Sequence, residues 1–293
     1  MEDLCGKRIL TLFVGIIIFV VVFFLDSLQL VGGPLFFNIA IAICSFLMVT
    51  EFYNAIAEKG IKPIKFIGYL CALLIIPLGV ISTKAMTIVC ASVIPIIIVL
   101  GLIVSILSNL RQNIIDVAVT IFGAIYVTFM CSFICATRAM EGGVYLVWYI
   151  FCGAWFCDIF AFLIGRAFGK HKFSKISPNK SIEGCIAGVI GTIVFYIVFS
   201  LILSHNLSSN SFAYFDVLNN SLFTNIPLLV FLGLIVSVFS QFGDFAASSI
   251  KRYTKIKDFS HIMPGHGGVL DRFDSILFVA PVVYFVFYIM MFS

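Results

Sequence analysis

The sequence predicts an all-α fold, a polytopic integral membrane bundle of about nine transmembrane helices. Of its 293 residues, 62% are hydrophobic and 11% are charged, whereas soluble domains average about 45 to 50% and about 25%. The apolar residues gather in runs of about 17 to 25, the length that a helix needs to cross roughly 30 Å of hydrocarbon. Because backbone groups in lipid must be satisfied within the protein and these runs are long and unbroken, we expect helices and exclude a β-barrel.

The predicted crossings, in chain order, are residues 9–25, 34–52, 65–82, 86–107, 114–136, 143–164, 184–204, 226–247 and 275–292. The first lacks the small-residue cleavage site of a signal peptide, so we expect a retained helix. In the seventh, Gly188 and Gly191 predict close contact with a neighbouring helix. The proline and glycines of PGHGG, residues 264–268, end any helix after Ile262, so a loop precedes the last crossing.

Basic residues near the ends of the crossings predict the orientation, because Lys and Arg in such positions stay cytoplasmic. With the N-terminus inside, all but two of the 18 basic residues, Lys84 and Arg138, fall on the cytoplasmic side. We therefore predict an N-in/C-out protein of the plasma membrane with its active site facing the cytoplasm. Its basic loops should attract anionic membrane lipids and phosphorylated metabolites. No nucleic-acid-binding motif occurs, so nucleic acid is not expected as a partner.

The chain is expected to form one integral membrane domain, residues 1–293. Residues 1–140 are almost featureless and predict a helical scaffold, in which Glu51, at the end of the second crossing, is expected to be an interface residue. Residues 141–293 carry the chemistry on the cytoplasmic side. The large apolar surface also suggests a homodimer.

The chemistry is densest around residues 248–274, SSIKRYTKIKDFSHIMPGHGGVLDRFD, with Asp244 just before them. A carboxylate at bilayer depth costs about 2.5 to 3.5 kcal/mol on insertion scales, so it usually has a partner or a function. On a helix, residues four, seven and eight positions after Asp244 share its face. These residues are Ser248, Lys251 and Arg252.

Three carboxylates, those of Asp244, Asp271 and Asp274, are predicted to meet and hold Mg²⁺. This ion prefers oxygen ligands and usually binds one or two carboxylates together with substrate phosphates. Whether a second metal or a monovalent cation joins it stays open. Arg272 would neutralise phosphate charge, and the glycine loop would offer backbone N–H groups to phosphate oxygens. The combination indicates phosphoryl or nucleotidyl transfer.

This stretch resembles the signature of the phosphatidate cytidylyltransferases, or CDP-diacylglycerol synthases. The signature is met by Ser248, Ile250, Lys251, Arg252, Lys257, Asp258, Ser260, Pro264, His266, Gly267, Gly268, Asp271, Arg272 and Asp274. Met263 stands where Ile, Leu or Phe is usual. QFGD with Asp244, and Asp158 followed by GRAFGK and SPNKSIEG, resemble further family elements, with Asn179 and Ser181 in place of the usual Lys and Thr. The resemblance covers about residues 150–293.

The resemblance implies metal-dependent transfer of CMP from CTP to phosphatidate, which gives CDP-diacylglycerol and pyrophosphate in phospholipid biosynthesis. CTP, phosphatidate and membrane lipids are then the partners. The implied catalytic residues are Asp244, Lys251, Arg252, Asp271 and Arg272. The implied substrate-binding residues are Ser248, Lys257, His266, Gly267, Gly268, Lys180 and Asp158. The implied metal ligands are Asp244, Asp271 and Asp274.

Other functions remain open. A CTP-dependent lipid-alcohol kinase can share these acidic and basic elements, but it would release CDP where a cytidylyltransferase releases pyrophosphate. A secondary transporter would also place charges at membrane depth, although no inverted repeat is found and the polar features lie on one side, away from the midplane. A purely structural role leaves GHGG and DRFD unexplained.

Single residues also have plainer interpretations. Asp244 could be a buried carboxylate whose pairing with Lys251 serves only to stabilise the bundle. Asp158 could simply hydrogen-bond across helices or cap a polar pocket. The lysines of residues 170–175 could serve orientation alone. His266 is expected to contact phosphate in preference to a metal.

Overall fold

The computed structural model describes residues 21–22, 26, 34–79, 83–107, 112–172, 177, 180–206, 222–263, 265 and 267–292. Its helices are α1 (Leu35–Ala57), α2 (Lys65–Leu73), α3 (Thr83–Leu107), α4 (Ile114–Gly123), α5 (Met130–Arg138), α6 (Gly143–Phe168), α7 (Ile182–Asn206), α8 (Leu222–Thr254) and α9 (Leu270–Phe292). A 3₁₀ turn, Ile76–Gly79, follows α2, and a π-helical turn, Ala124–Phe129, joins α4 to α5. The prediction of an all-α fold is confirmed.

Six helices within the described ranges are long and apolar enough to cross a membrane. They are Leu35–Ala57, Ile114–Arg138, Gly143–Phe168, Ile182–Leu203, Ile226–Thr254 and Leu270–Met290. They overlap six of the predicted crossings. The crossing predicted over 9–25 lies outside the described residues apart from 21–22, so the total of nine and the orientation stay predictions.

The segment predicted to cross at 65–82 differs from a single spanning helix. α2 ends at Leu73 after nine residues, which reach only about 14 Å at 1.5 Å per residue. Pro77 lies in the 3₁₀ turn that follows, and a proline disfavours helical geometry in the residue before it. The Ile76 carbonyl accepts a hydrogen bond from Asn38 Nδ2 at 3.2 Å. This bond satisfies a carbonyl outside the helix.

The chain divides into two compact units, and the first contains residues 1–140 and 250–273. The connection before α2 is fixed to α4, because Lys62 N donates to Asp116 Oδ1 and Ile64 N donates to Thr120 Oγ1, each at 2.7 Å. Asn113 caps α4 in a reciprocal capping box with Asp116. A buried apolar cluster lies beside these bonds and consists of Ile64, Ile67, Cys71, Ile97, Val117 and Ala124. Residues 250–273, most of the signature segment, thus group with the half predicted to be scaffold.

The second unit contains residues 141–249 and 274–293. Its helices α6 and α7 approach closely at glycines. A Cβ at Gly188 would lie 2.9 Å from the Cys157 carbonyl oxygen, and one at Gly184 would lie 2.6 Å from the Ala161 carbonyl oxygen. The close contact predicted for Gly188 is therefore confirmed. Tyr196 Oη donates to the Tyr149 carbonyl oxygen at 2.6 Å and joins the same pair of helices deeper in the unit.

Candidate functional site

One helix carries the four polar side chains that the sequence singled out between positions 244 and 252. α8 runs without a break through Asp244, Ser248, Lys251 and Arg252, so the helical spacing predicted for them holds. Asp244, Ser248 and Lys251 are half-buried, whereas Arg252 is exposed. The helix fixes their spacing, and the contacts of each residue decide what it can do.

Four side chains of the second unit meet in what we name the carboxylate cluster: Asp158, Lys180, Asp244 and Ser275. Ser275 Oγ lies 3.0 Å from Asp244 Oδ1 and 3.4 Å from Asp158 Oδ2. A hydroxyl has one proton, so it donates to only one of the two carboxylates at a time. The Lys180 ammonium pairs with Asp244 Oδ2. Two carboxylates facing one ammonium favour a further cation, because like charges this close disfavour one another.

Lys180 reaches the cluster from the segment before α7. Its backbone N–H donates to the Ser177 carbonyl oxygen at 3.2 Å, and its neighbour Ser181 forms a β-bridge with Lys172. The Nζ atom lies 4.7 Å from the centroid of the Phe245 ring, a cation–π contact beside the ion pair with Asp244. The structure thus brings together Lys180, Asp158 and Asp244, which the sequence selected from three separate elements.

Gly243 explains how α9 comes near enough to complete the cluster. A Cβ at this position would lie 2.5 Å from the Asp274 carbonyl oxygen and 2.8 Å from Ser275 Cα. Both atoms belong to the backbone of α9, so no rotamer change could relieve the clash. On α8, Gln241 Nε2 donates to the Cys185 carbonyl oxygen of α7 at 3.0 Å. The Gln and Gly of QFGD therefore hold the helix that presents Asp244.

A second group, the loop cluster, lies in the first unit and consists of Lys251, Asp271 and the segment 258–269. Asp271 Oδ1 accepts a hydrogen bond from Lys251 Nζ at 2.7 Å. Its Oδ2 accepts from Phe259 N at 2.9 Å and from Gly268 N at 3.0 Å. The side chain of Asp271 is only 6% exposed. The Gly268 N–H, predicted to face phosphate, thus serves the fold of its own loop in this structure.

The glycine loop is non-helical, as predicted. Gly265 and Gly267 have φ values of 77° and 85°, a region that side chains with a Cβ seldom adopt. Met263 N donates to the Gly267 carbonyl oxygen at 3.0 Å and closes the turn. Pro264 and His266 lie outside the described residues, so the phosphate contact expected of His266 stays a prediction.

The remaining predicted site residues differ in exposure. Arg252, Lys257 and Arg272 are exposed, which suits groups that meet a soluble anion. Asp274 is buried, and its Oδ1 accepts from the N–H of Ser275 at 2.8 Å.

Glu51 is the residue that the sequence interpretation missed. Its side chain is buried against the glycine loop, where it accepts hydrogen bonds from Ser260, Val269 and Leu270. An acidic residue inside an apolar run was the available signal, because such residues are functional by default.

The oxygen atoms of the carboxylate cluster fit a hard divalent cation. Asp158, Asp244 and the Ser275 hydroxyl supply only oxygen donors, which Mg²⁺ prefers. In the ranges that the structure describes, no three His, Cys, Asp or Glu side chains form a metal-binding group. Mg²⁺ commonly binds one or two carboxylates and completes its shell with water and phosphate, so a pair suffices.

The geometry can be compared with known proteins. A model of the cytidylyltransferase family matches residues 6–290. The chain belongs to this family. The similarity is not confined to the motif-bearing half, because the match begins at residue 6, before the first predicted crossing.

Relatives named phosphatidate cytidylyltransferase share about a third of the aligned residues. The identity is 36% to the protein of Staphylococcus haemolyticus, 34% to that of Staphylococcus aureus and 32% to that of Staphylococcus saprophyticus, each over 180 residues. These alignments cover 61% of this chain and 62% of each relative. The aligned region therefore spans less than two thirds of the relatives' length.

The residues that resemble the signature of this cytidylyltransferase family lie in two separate groups of contacts. Asp158, Lys180 and Asp244 meet in the carboxylate cluster, while Lys251, Gly268 and Asp271 meet in the loop cluster. The sequence predicted these residues but not their partners Ser275 and Glu51.

Proposed function

We propose that this protein is a CTP:phosphatidate cytidylyltransferase that makes CDP-diacylglycerol and pyrophosphate. The active site would face the cytoplasm from the plasma membrane, where CTP is available and phosphatidate lies in the bilayer. The carboxylate cluster carries the proposal, because two half-buried carboxylates, a lysine and a hydroxyl suit a reaction between two polyanions. The family and the names of the Staphylococcus relatives support this substrate pair. A homodimer remains a separate prediction.

Asp244 and Asp158 would hold Mg²⁺, with Ser275 between them. When bound, the ion would supply positive charge to phosphate oxygens. Asp271 and Asp274 stay predicted ligands, but both oxygens of Asp271 already accept bonds from protein donors. Asp158 is therefore the better-placed second carboxylate.

The reaction forms one P–O bond and breaks another. A phosphatidate oxygen, already anionic near neutral pH, attacks the α-phosphorus of CTP, and the bond from that phosphorus to the β-phosphate oxygen breaks. Pyrophosphate leaves with the electron pair, so no general base is required. What the reaction needs is compensation of negative charge at the attacking and leaving oxygens.

The cations of the chain would supply much of this compensation. Arg252, Lys257 and Arg272 are exposed to the solvent from which CTP arrives, and guanidinium groups bind phosphate oxygens in pairs. Lys251 fixes Asp271 at the start of α9. Lys180 pairs with Asp244 in the structure and could turn to phosphate once a metal ion neutralises that carboxylate.

The test is product analysis with the purified full-length protein in detergent, given phosphatidate, Mg²⁺ and CTP labelled in the α-phosphate. We expect label in an organic-phase CDP-lipid and one pyrophosphate per lipid formed, both lost when Mg²⁺ is chelated. Label that remains aqueous as CDP in the presence of lipid alcohols would replace the proposal with a lipid kinase. Solute flux into proteoliposomes without CTP, and no nucleotide reaction, would indicate a transporter.

Two variants test the site itself. Asp244→Ala removes a proposed metal ligand, and Asp271→Ala removes the acceptor for Lys251 and for two loop N–H groups. Each should lower turnover by about 100-fold or more, the scale of losing one preorganised electrostatic group, while the protein still inserts. Glu141→Ala is the matched control, because this carboxylate is exposed and belongs to neither cluster. Full turnover in both aspartate variants would refute the site assignment.

A further inference from the structure

Glu51 belongs to α1, far from the signature in sequence, yet its side chain lies under the signature loop. The residue is only 2% exposed. A carboxylate removed from water in this way requires hydrogen-bond donors from the protein. We propose that Glu51 is a positioning residue for the transferase reaction, and that it holds the glycine loop and the first turn of α9 in the conformation the reaction needs. This inference rests on the proposed function.

The donors around Glu51 all come from the segment it would position. Val269 N donates to Oε1 at 2.9 Å and Leu270 N donates to Oε2 at 2.7 Å. Ser260 Oγ donates to Oε1 at 2.5 Å. The first N–H groups of a helix lack partners within it, and the positive end of the helix dipole favours a negative charge there. Glu51 thus caps α9 from another helix.

The last glycine of the loop, Gly268, is explained by this contact. A Cβ at Gly268 would lie 2.6 Å from Glu51 Oε2 and 2.8 Å from its Cδ. The backbone of Gly268 does not require positive φ, whereas that of Gly267 does. Gly267 is therefore needed for the turn, and Gly268 for the close approach of the carboxylate.

The contact also connects Glu51 to Asp271. Three consecutive N–H groups, from Gly268 to Leu270, donate to these two carboxylates: Gly268 to Asp271, and the next two to Glu51. Because Asp271 also accepts from Lys251, release of the loop from Glu51 would loosen the anchor that sets Asp271 and Lys251. Glu51 would thus act through these residues without touching substrate.

A purely structural role for Glu51 makes different predictions. Loss of a structural carboxylate would destabilise the whole unit and reduce the amount of active protein. Loss of a positioning carboxylate would leave the protein folded, lower kcat and change the dynamics of one segment. Glu51→Gln separates the two, because its amide oxygen still accepts one bond while its NH₂ group meets an N–H donor.

The experiment compares Glu51→Gln and Glu51→Ala with Glu58→Gln, a change at an exposed glutamate about two helical turns further along the chain. For each full-length protein, kcat and KM for CTP and phosphatidate are measured, together with peptide-level hydrogen exchange and thermal stability. We expect kcat to fall about tenfold in Glu51→Gln and further in Glu51→Ala, with each KM changed less than threefold. Exchange should accelerate in peptides covering 259–272 and stay at the parental rate in α6, and Glu58→Gln should match the parent.

Unchanged kcat in Glu51→Ala would overturn the proposal, and so would faster exchange throughout the protein with a parallel loss of thermal stability. Gly268→Ala adds a second check: its effect on kcat should be several-fold smaller in the Glu51→Ala background than in the parent, because both changes break one contact. Independent effects would also overturn the proposal. If the parent forms no CDP-lipid, the proposed function fails, while the exchange measurement still decides whether Glu51 holds the loop.

Discussion

Replacement of Gly243 by alanine tests whether catalysis depends on the close approach of α8 and α9. The new Cβ would lie 2.5 Å from the Asp274 carbonyl oxygen, where ordinary contact begins at 3.4 Å. The two helices must therefore part by about 0.9 Å at this point, since the opposing atoms belong to the backbone. A shift of this size would take the 3.0 Å bond between Ser275 and Asp244 to about 3.9 Å, beyond hydrogen-bonding distance.

The expected result is a large loss of activity with a modest loss of stability. Misplacement of a reacting group by 1 Å can lower the rate about 100-fold, whereas overpacking usually costs about 1 to 3 kcal/mol of unfolding free energy. The assay measures kcat/KM for CTP in detergent and the thermal transition of the same samples. Gly101→Ala is the matched control, because its Cβ would lie 2.9 Å from Val117 Cγ1, an atom that can move. Parental kcat/KM in Gly243→Ala, or an equal loss in Gly101→Ala, would refute the reasoning.

Two further substitutions probe the carboxylate cluster. Lys180→Met keeps an unbranched side chain but removes the ammonium that pairs with Asp244 and lies over the Phe245 ring. The Mg²⁺ concentration for half-maximal rate should therefore fall several-fold while kcat falls about tenfold, and titration of the rate with Mg²⁺ measures both. Ser275→Ala removes the hydroxyl shared by Asp158 and Asp244, and a hydrogen bond to a charged group contributes about 1.5 to 3 kcal/mol. We expect kcat to fall by at least about tenfold, as initial rates at saturating CTP and phosphatidate would measure.

Each substitution has a control of the same chemical type. Lys62→Met removes an exposed ammonium in the connection before α2 and should leave both parameters unchanged. Ser200→Ala removes a buried hydroxyl that lies 2.6 Å from Tyr149 Oη, away from the cluster. A higher Mg²⁺ requirement in Lys180→Met would contradict competition between lysine and metal. A Ser275→Ala protein as active as Ser200→Ala would remove the serine from the mechanism.

Much of the fold could be predicted because apolar runs of spanning length have few alternatives in a bilayer. The glycine loop before α9 and the close contact at Gly188 also followed from residue type alone. The segment 65–82 was harder, because a uniformly apolar run gives no sign of where its helix ends. Pro77 was the residue that indicated a break after Leu73. Its neighbours are so apolar that the run still fitted a single spanning helix.

The candidate site also has features that the sequence could predict and features that it could not. The spacing along α8 predicted that Asp244, Ser248 and Lys251 share one helix, since helical periodicity is local. It could not predict that Lys180 pairs with Asp244, or that Ser275 joins it to Asp158, because periodicity does not say which helices are neighbours.

By itself the sequence determined an all-α membrane protein, the family to which it belongs and the residue types of its site. Those features depend on composition, run length and short motifs, which are properties of neighbours along the chain. The tertiary structure alone decided that Glu51 of α1 caps α9, a contact between residues more than 200 positions apart. A buried carboxylate needs donors, and a helix start needs acceptors, but only the packing of the first unit brings these two requirements to the same place.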